Sequence, residues 1–144
     1  MRNGIKSILL LIAFVGVICF ADISRCYSQY DDAEMIRQEV AKAKKRLPIK
    51  IDAMTTFTDI IAGHNSLTYL YEVDMDVSRI SSDQLAVMNQ KLSQLFCPKM
   101  TAMICGVGKA YLERGITFHI KYYVKNGTTL AICNYSQTDC ANLP

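Results

Sequence analysis

The chain has 144 residues, of which 51% are hydrophobic and 20% charged, with only 7 Gly and 3 Pro but 6 Cys. This composition excludes a disordered tail and a collagen-like repeat, and the length excludes a multi-domain enzyme. The formal net charge is +3, and Arg2 and Lys6 of the N-terminal segment contribute two of the positive charges.

The N-terminus has the pattern of a secretory signal peptide. Arg2 and Lys6 precede an apolar run over residues 8–21 that contains no charge. This run is shorter than the roughly 20 residues that a membrane-spanning helix needs. We therefore predict cleavage after Ala21, with residues 22–144 forming a single domain that is periplasmic or secreted.

Removal of the signal peptide lowers the net charge of the protein, which bears on whether it could bind nucleic acid. Loss of Arg2 and Lys6 lowers the net charge from +3 to +1, which leaves no field of basic residues for neutralising phosphates and predicts no nucleic-acid partner. Membrane contact is expected only through two alternatives, an uncleaved signal or an unrecognised lipid. Cys19 and Cys26 are the candidate sites for a lipid, and neither follows the small residue that such a site requires.

The first half of the mature chain is predicted to form a helix followed by two strands. Residues 30–46 have apolar positions at helical spacing, acidic residues at the start and basic residues at the end, so we predict an amphipathic helix that Pro48 ends. Residues 49–61 are rich in Ile, Thr and Phe and predict a strand. Strict alternation over residues 67–75 predicts a second strand with one face in the core.

The next segment is predicted to form two helices. Ser81 offers a capping hydroxyl before an apolar stripe that predicts a helix ending at Cys97-Pro98. Residues 100–114 predict a third helix, which Gly115 closes in the left-handed conformation.

The last segment is predicted to form a hairpin, because alternating residues 116–124 and the β-rich run 128–135 flank Asn126-Gly127. The whole order is helix, two strands, two helices and two strands. It predicts an α+β domain with an antiparallel sheet of four to five strands, packed on one face by about three helices and stapled by disulfides.

The sequence carries no motif for catalysis, for a metal or for a cofactor. His64 and His119 have no carboxylate or cysteine at metal-ligand spacing. Nucleophile-elbow, zinc-protease and Cys-x-x-Cys patterns are also missing. We therefore predict that the protein is not an enzyme and uses no cofactor, and the polar cluster of His119, Lys121 and Tyr123 is the one group that we would test for catalysis.

The cysteines that remain after cleavage are interpreted as structural, since disulfides form in oxidising compartments. Cys140 follows the last strand and could reach back to Cys97, while Cys105 and Cys133 could form a second, nested bridge that leaves Cys26 unpaired. The residues alone permit other pairings. A bridge that closes a loop of this length would stabilise the domain by about 4 kcal/mol on the chain-entropy model.

The order and spacing of several short motifs over residues 30–140 resemble a known family. These motifs are Leu47-Pro48-Ile49-Lys50, Leu67-Thr68-Tyr69-Leu70-Tyr71, Cys97-Pro98, Gly115 before a strand, Asn126-Gly127 and Cys140. Together they resemble the small pilotins of the type II secretion system, in particular the β-rich kind of vibrios and enteropathogenic coliforms. The resemblance implies an α+β domain with a disulfide between Cys97 and Cys140.

The same resemblance implies a periplasmic chaperone that binds an amphipathic C-terminal helix of a secretin subunit and carries it to the outer membrane. The physical mode would be a helix docked in an apolar groove. Two features depart from the family pattern, the missing lipid-attachment motif and a longer segment between Cys97 and Gly115 that contains Cys105. The alternative function is therefore a secreted or periplasmic structural or effector domain of the same fold that has no secretin partner.

Overall fold

A five-stranded mixed sheet organises the domain in the computed structural model, which describes residues 32–141. In chain order and in sheet order, the strands are β1 (Ile49–Lys50), β2 (Thr55–Ala62), β3 (Ser66–Val73), β4 (Thr117–Val124) and β5 (Thr129–Tyr135). Neighbouring strands are antiparallel except β3 and β4, which are parallel. The predicted α+β class and mostly antiparallel sheet are confirmed, and the β3–β4 pair is the exception.

Within residues 32–141, four helices accompany the sheet. They are α1 (residues 32–44 within the described part), α2 (Ser82–Val107), α3 (Lys109–Leu112) and α4 (Gln137–Cys140). The compact unit that contains the sheet begins at Ile36. Within it, Ile36 and Val40 lie one helical turn apart on α1 and are both buried. The predicted first helix is therefore found, with its apolar stripe in the core.

The predicted first strand over residues 49–61 is wrong in one respect, because the structure divides it into β1 and β2. Asp52 causes the division. Its Oδ1 accepts hydrogen bonds from the backbone N–H groups of Met54 and Thr55, both at 2.8 Å, and this Asx-type turn reverses the chain. The reversal places a two-residue edge strand beside β2 and projects residues 51–54 as a loop.

The predicted end of the second helix at Cys97-Pro98 is also wrong, because α2 continues through Pro98 to Val107. A proline inside a helix removes one backbone hydrogen bond and costs about 3 kcal/mol. Here the ring of Pro98 faces solvent, and the Cys97 carbonyl accepts hydrogen bonds from the Tyr135 hydroxyl at 2.8 Å and the Thr101 hydroxyl at 3.0 Å. The hydrogen bond from Tyr135 is a tertiary contact that ties α2 to β5 directly beside the proline.

The structure corrects the predicted disulfide pairing. Cys97 bonds to Cys133 and Cys105 bonds to Cys140, with Cα–Cα distances of 5.3 and 5.5 Å. The pairing of Cys97 with Cys140 and of Cys105 with Cys133 is wrong because of chain direction. Since β3 and β4 are parallel, α2 returns antiparallel to both, and β5 then runs in the same direction as α2. Because α2 and the segment from β5 to α4 run in the same direction, Cys97 of α2 lies beside Cys133 of β5. Cys105, further along α2, then lies beside Cys140 of α4.

The N-terminal predictions concern residues outside the described part of the chain. These are the signal over residues 1–21, its cleavage after Ala21, and the unpaired state of Cys26. Among residues 32–141, no helix combines the length and the apolar character needed to cross a membrane.

Candidate docking groove

An open apolar groove runs beside α2 on the helix-covered face of the sheet. Two cavities of about 260 and 800 Å³ lie along it and share Tyr71 and Met103 in their walls. We call this surface the α2 groove. Its main lining residues are Leu92, Phe96, Met100, Met103, Ile104 and Val107 from α2, Tyr111 from α3, Leu67, Tyr69, Tyr71, Val73, Phe118, Ile120 and Tyr122 from β3 and β4, and Glu39, Ile51, Asp52 and Met54 from the opposite wall.

The strand alternation of β3 and β4 builds the groove floor. Tyr69 and Tyr71 are two positions apart, so both side chains project from the same face of the sheet. The parallel register pairs Tyr69 with Ile120 and Tyr71 with Tyr122 on the neighbouring strand. The alternation over residues 67–75 thus predicted correctly which side chains of β3 face the helices. Tyr69 and Tyr71, however, form part of the groove floor and are not fully covered by a helix.

One row of aromatic rings crosses the floor at the end of the groove near α3. Its ring centroids are 5.7 Å apart between Phe57 and Tyr69 and 6.1 Å apart between Tyr69 and Phe118. Tyr111 then meets Phe118 edge-on at 6.0 Å. Each such contact between aromatic rings stabilises a protein by about 0.5–1.5 kcal/mol beyond the effect of the area buried. The row therefore stabilises the groove floor.

A second row crosses the floor nearer the middle of α2. Phe57 and Tyr71 are 5.0 Å apart, Tyr71 and Tyr122 are 5.3 Å apart, and Phe96 of α2 closes the row at 5.3 Å from Tyr122. Phe57 begins both rows. It is the register partner of Tyr71, and the β-bulge that follows it lies between Phe57 and Asp59.

The rim of the groove exposes apolar side chains on both sides. Ile51 and Met54 project from the loop between β1 and β2, while Met103 and Val107 project from α2, and their exposed fractions range from 49% to 83%. Scattered exposed apolar residues are common on proteins, but a contiguous patch around a concave surface marks an interaction site. Methionine is frequent at such surfaces because its flexible thioether adapts to different partners.

Four tyrosine hydroxyls lie along the groove, and burial raises the pKa of each. The pKa of Tyr71 rises to about 12, mainly because burial disfavours the phenolate. The pKa values of Tyr69, Tyr111 and Tyr122 are also raised, first by burial. These hydroxyls are therefore neutral at physiological pH and can donate or accept a hydrogen bond.

The residues that we would test for catalysis lie elsewhere, on the uncovered face of the sheet. His119 places Nδ1 at 2.6 Å from Asn134 Oδ1 and Nε2 at 3.3 Å from the Thr117 hydroxyl. The Tyr123 hydroxyl is 2.8 Å from the Thr58 hydroxyl. Both side chains are thus engaged in hydrogen bonds within the sheet, and neither cavity of the α2 groove contains them.

The described residues contain no cluster of three or more His, Cys, Asp or Glu side chains that could hold a metal ion. The four described cysteines all lie in the two disulfides. The family resemblance implied an apolar groove, but the residues that line it were not predicted from the sequence. Its one usable signal was the pair Tyr69 and Tyr71 on a core-facing stripe, since tyrosine is a residue of half-buried surfaces more than of closed cores.

Comparison with solved structures identifies the fold as that of the type II secretion pilotins, which confirms at the level of the fold the family resemblance found in the sequence. The pilotin AspS from Vibrio cholerae matches with a TM-score of 0.54 and 11% identity, covering 80% of this chain and 97% of that one. The pilotin EpsS from Vibrio vulnificus matches with a TM-score of 0.52 and 14% identity, covering 82% and 97%.

A secreted protein from Pseudomonas aeruginosa has the same fold, with a TM-score of 0.63 and 12% identity over 78% of this chain and 96% of that one. No protein-family model matches the sequence, and neither does any curated protein. At identities of 11–14%, these likenesses establish the shared fold.

Proposed function

We propose that this protein is an exported, pilotin-like binding protein whose α2 groove holds an amphipathic helix of a secretin subunit or of another envelope assembly. The observation that carries the proposal is the groove with its apolar rim on both walls. The pilotin fold supports the choice of partner, because the family resemblance implies recognition of a secretin helix in an apolar groove.

The length of the groove supports a helical occupant. From Leu92 to Val107, α2 lines it over 15 residue steps, which is about 22 Å at 1.5 Å per residue. A helix of about 15 residues would lie along the whole groove. Its apolar stripe would cover the four exposed rim residues, and the two cavities would each receive one bulky side chain.

The proposal is for a binding protein and not for an enzyme. On the open sheet face, Tyr123 is hydrogen-bonded to Thr58 and His119 to Asn134, and the sequence has no catalytic motif that includes them. Export depends on the predicted signal over residues 1–21. Sequencing the N-terminus of the protein from the producing cell tests it, with Asp22 expected as the first residue and an acylated cysteine as the contrary result.

Peptide binding tests the groove directly. Fluorescence anisotropy would measure the affinity of labelled secretin C-terminal peptides, with scrambled peptides as the reference, for the wild-type protein and for two variants. Met103→Asp places a carboxylate on the groove wall, where docking would desolvate it, so affinity should fall about tenfold or more. Leu95→Asp is the matched control, because Leu95 is also on α2 and is 50% exposed against 49% for Met103, but it does not line the groove.

Equal loss of affinity in the Met103→Asp and Leu95→Asp variants would contradict docking in the α2 groove. Binding of scrambled and authentic peptides with the same affinity would contradict a secretin partner. That second result would favour the alternative function, a secreted or periplasmic domain without a secretin partner, which the likeness to the secreted Pseudomonas aeruginosa protein supports.

A further inference from the structure

The polar groups of the α2 groove specify the partner more closely than its apolar rim does. Among the six tyrosines of the described residues, two have their hydroxyls engaged within the protein, Tyr123 with Thr58 and Tyr135 with the Cys97 carbonyl. The other four are the groove tyrosines. Within the described part of the chain, their hydroxyls have no hydrogen-bond partner, and the only buried side-chain polar atom without one is Oδ1 of Asn89. The groove hydroxyls are therefore open to an external group.

The charged residues of the groove are all of one sign. Among the residues that line its two cavities, the only charged ones are Glu39, in the cavity near α3, and Asp52, in the larger cavity. The Asp52 carboxylate also accepts two backbone hydrogen bonds, which fix its position at the groove wall. Glu39 forms an ion pair at 3.0 Å with Lys42, which does not line the groove.

Each carboxylate acts on the tyrosine hydroxyls near it. The negative charge of Glu39 adds to burial in raising the pKa values of Tyr69 and Tyr111, while the positive charge of Lys42 acts in the opposite direction on Tyr111. Asp52 does the same for Tyr122. Each end of the groove therefore combines a carboxylate with neutral hydroxyls, and this combination can accept hydrogen bonds from a cationic side chain while the apolar walls contact its aliphatic stem.

We infer that the helix bound by the α2 groove carries lysine or arginine side chains bordering its apolar stripe, and that Glu39, Asp52 and the groove tyrosines select it over helices with acidic borders. The inference rests on the proposed docking function and adds the chemistry of the partner. A helix with acidic borders would place like charges against Glu39 and Asp52, and such repulsion is a means by which interfaces reject wrong partners.

Three designed helical peptides of about 15 residues test the inference. They share one apolar stripe and differ only in the flanking residues, which are lysine, glutamine or glutamate. We expect the lysine peptide to bind the wild-type protein about tenfold more tightly than the glutamine peptide, and the glutamate peptide to bind most weakly. Raising the salt concentration should reduce the difference between lysine and glutamate, because partly exposed charges are screened.

Matched variants identify the groups responsible. The double variant Glu39→Gln and Asp52→Asn keeps the side-chain shapes, and it should reduce the preference for lysine over glutamate to about threefold or less. Asp83→Asn is the control, since Asp83 lies at the start of α2 outside the groove, and it should leave the preference intact. Tyr71→Phe and Tyr122→Phe keep the aromatic rows, and each should weaken binding of the lysine peptide about five- to tenfold.

The outcomes separate the two proposals. If none of the three peptides binds, the docking function itself is wrong. If all three bind with similar affinity and the Gln, Asn and Phe variants behave as wild type, the groove binds helices but the inference of a basic partner is wrong. A preference for the glutamate peptide would also overturn it.

Discussion

At the scale of single residues, Gly108 shows how closely the end of α2 approaches the sheet. A Cβ at this position would lie 2.7 Å from the Ile104 carbonyl oxygen and 2.9 Å from the ring of Phe118. Real Cβ atoms do not make such short contacts, and Phe118 belongs to the aromatic row under the groove. The missing side chain of Gly108 therefore allows the helix to end against the groove floor.

We expect Gly108→Ala to destabilise the protein by about 1–3 kcal/mol, because the added methyl group must displace a packed ring or backbone. Gly106→Ala is the matched control, since a Cβ there meets nothing within 4 Å, and alanine in place of an exposed helical glycine should stabilise by about 0.5–1 kcal/mol. Urea unfolding measures both. Equal effects of the two substitutions would contradict the close packing at Gly108.

Several features of single residues could be predicted from the sequence, because they depend only on local backbone conformation and hydrogen bonding. Ser81 caps α2 in a capping box with Gln84. Gly115 and Gly127 have positive φ angles of 79° and 88°, as the helix end and the hairpin turn required. The Asx turn at Asp52 was equally local. It was missed because the surrounding Ile and Thr residues fit a continuous strand.

At the scale of elements, the errors come from tertiary contacts that no local pattern records. Pro98 predicts a helix end, yet the hydrogen bond from Tyr135 to the Cys97 carbonyl comes from a residue 38 positions away. The disulfide pairing depends on the relative direction of α2 and β5, and hence on whether β3 and β4 are parallel. The order of strands and helices along the chain does not determine whether β3 and β4 are parallel, so the pairing could not be predicted from it.

The two disulfides should differ in their effect on stability although they close loops of 36 and 35 residues. The chain-entropy model assigns each about 4 kcal/mol. Cys133, however, is 1% exposed while Cys105 and Cys140 are only partly buried. The double variant Cys97→Ser and Cys133→Ser should therefore lose about 1–3 kcal/mol more than Cys105→Ser and Cys140→Ser, because it leaves a hydroxyl in the core.

Urea unfolding of the two double variants measures this difference, and peptide mapping without reductant checks the pairing that it assumes. Fragments that join Cys97 to Cys133 and Cys105 to Cys140 are expected. A fragment that joins Cys97 to Cys140 would contradict the structure, and equal stability of the two double variants would contradict the role of burial.

At the scale of the whole molecule, the α2 groove forms where segments distant in sequence converge. Met54 comes from the loop before β2, Tyr71 from β3, Met103 from α2 and Tyr122 from β4. The sequence indicated which residues of β3 and β4 face the helices, but it did not indicate how much of that face the helices leave open. A groove of this kind is predicted only when the sheet order and the path of α2 are both known.

The partly buried tyrosines also predict how the stability of the whole domain responds to alkaline pH. Burial raises the pKa of both Tyr71 and Tyr135 to about 12, whereas an unfolded tyrosine titrates near pH 10, at about its ordinary value. Between these values the unfolded state releases protons that the folded state retains. The contribution to stability is therefore complete below about pH 10 and is lost as the pH rises toward about 12.

Urea unfolding midpoints measured in steps from neutral pH to about pH 11 should fall once the pH passes about 10. Tyr71→Phe removes one of the shifted hydroxyls and keeps its ring, so the midpoint of this variant should fall less steeply over the same interval. Identical slopes for the wild type and the variant would show that the Tyr71 hydroxyl is hydrated like that of an exposed tyrosine. The groove would then be too open to desolvate its tyrosines, and the selection of a basic helix by their neutral hydroxyls would lose its physical basis.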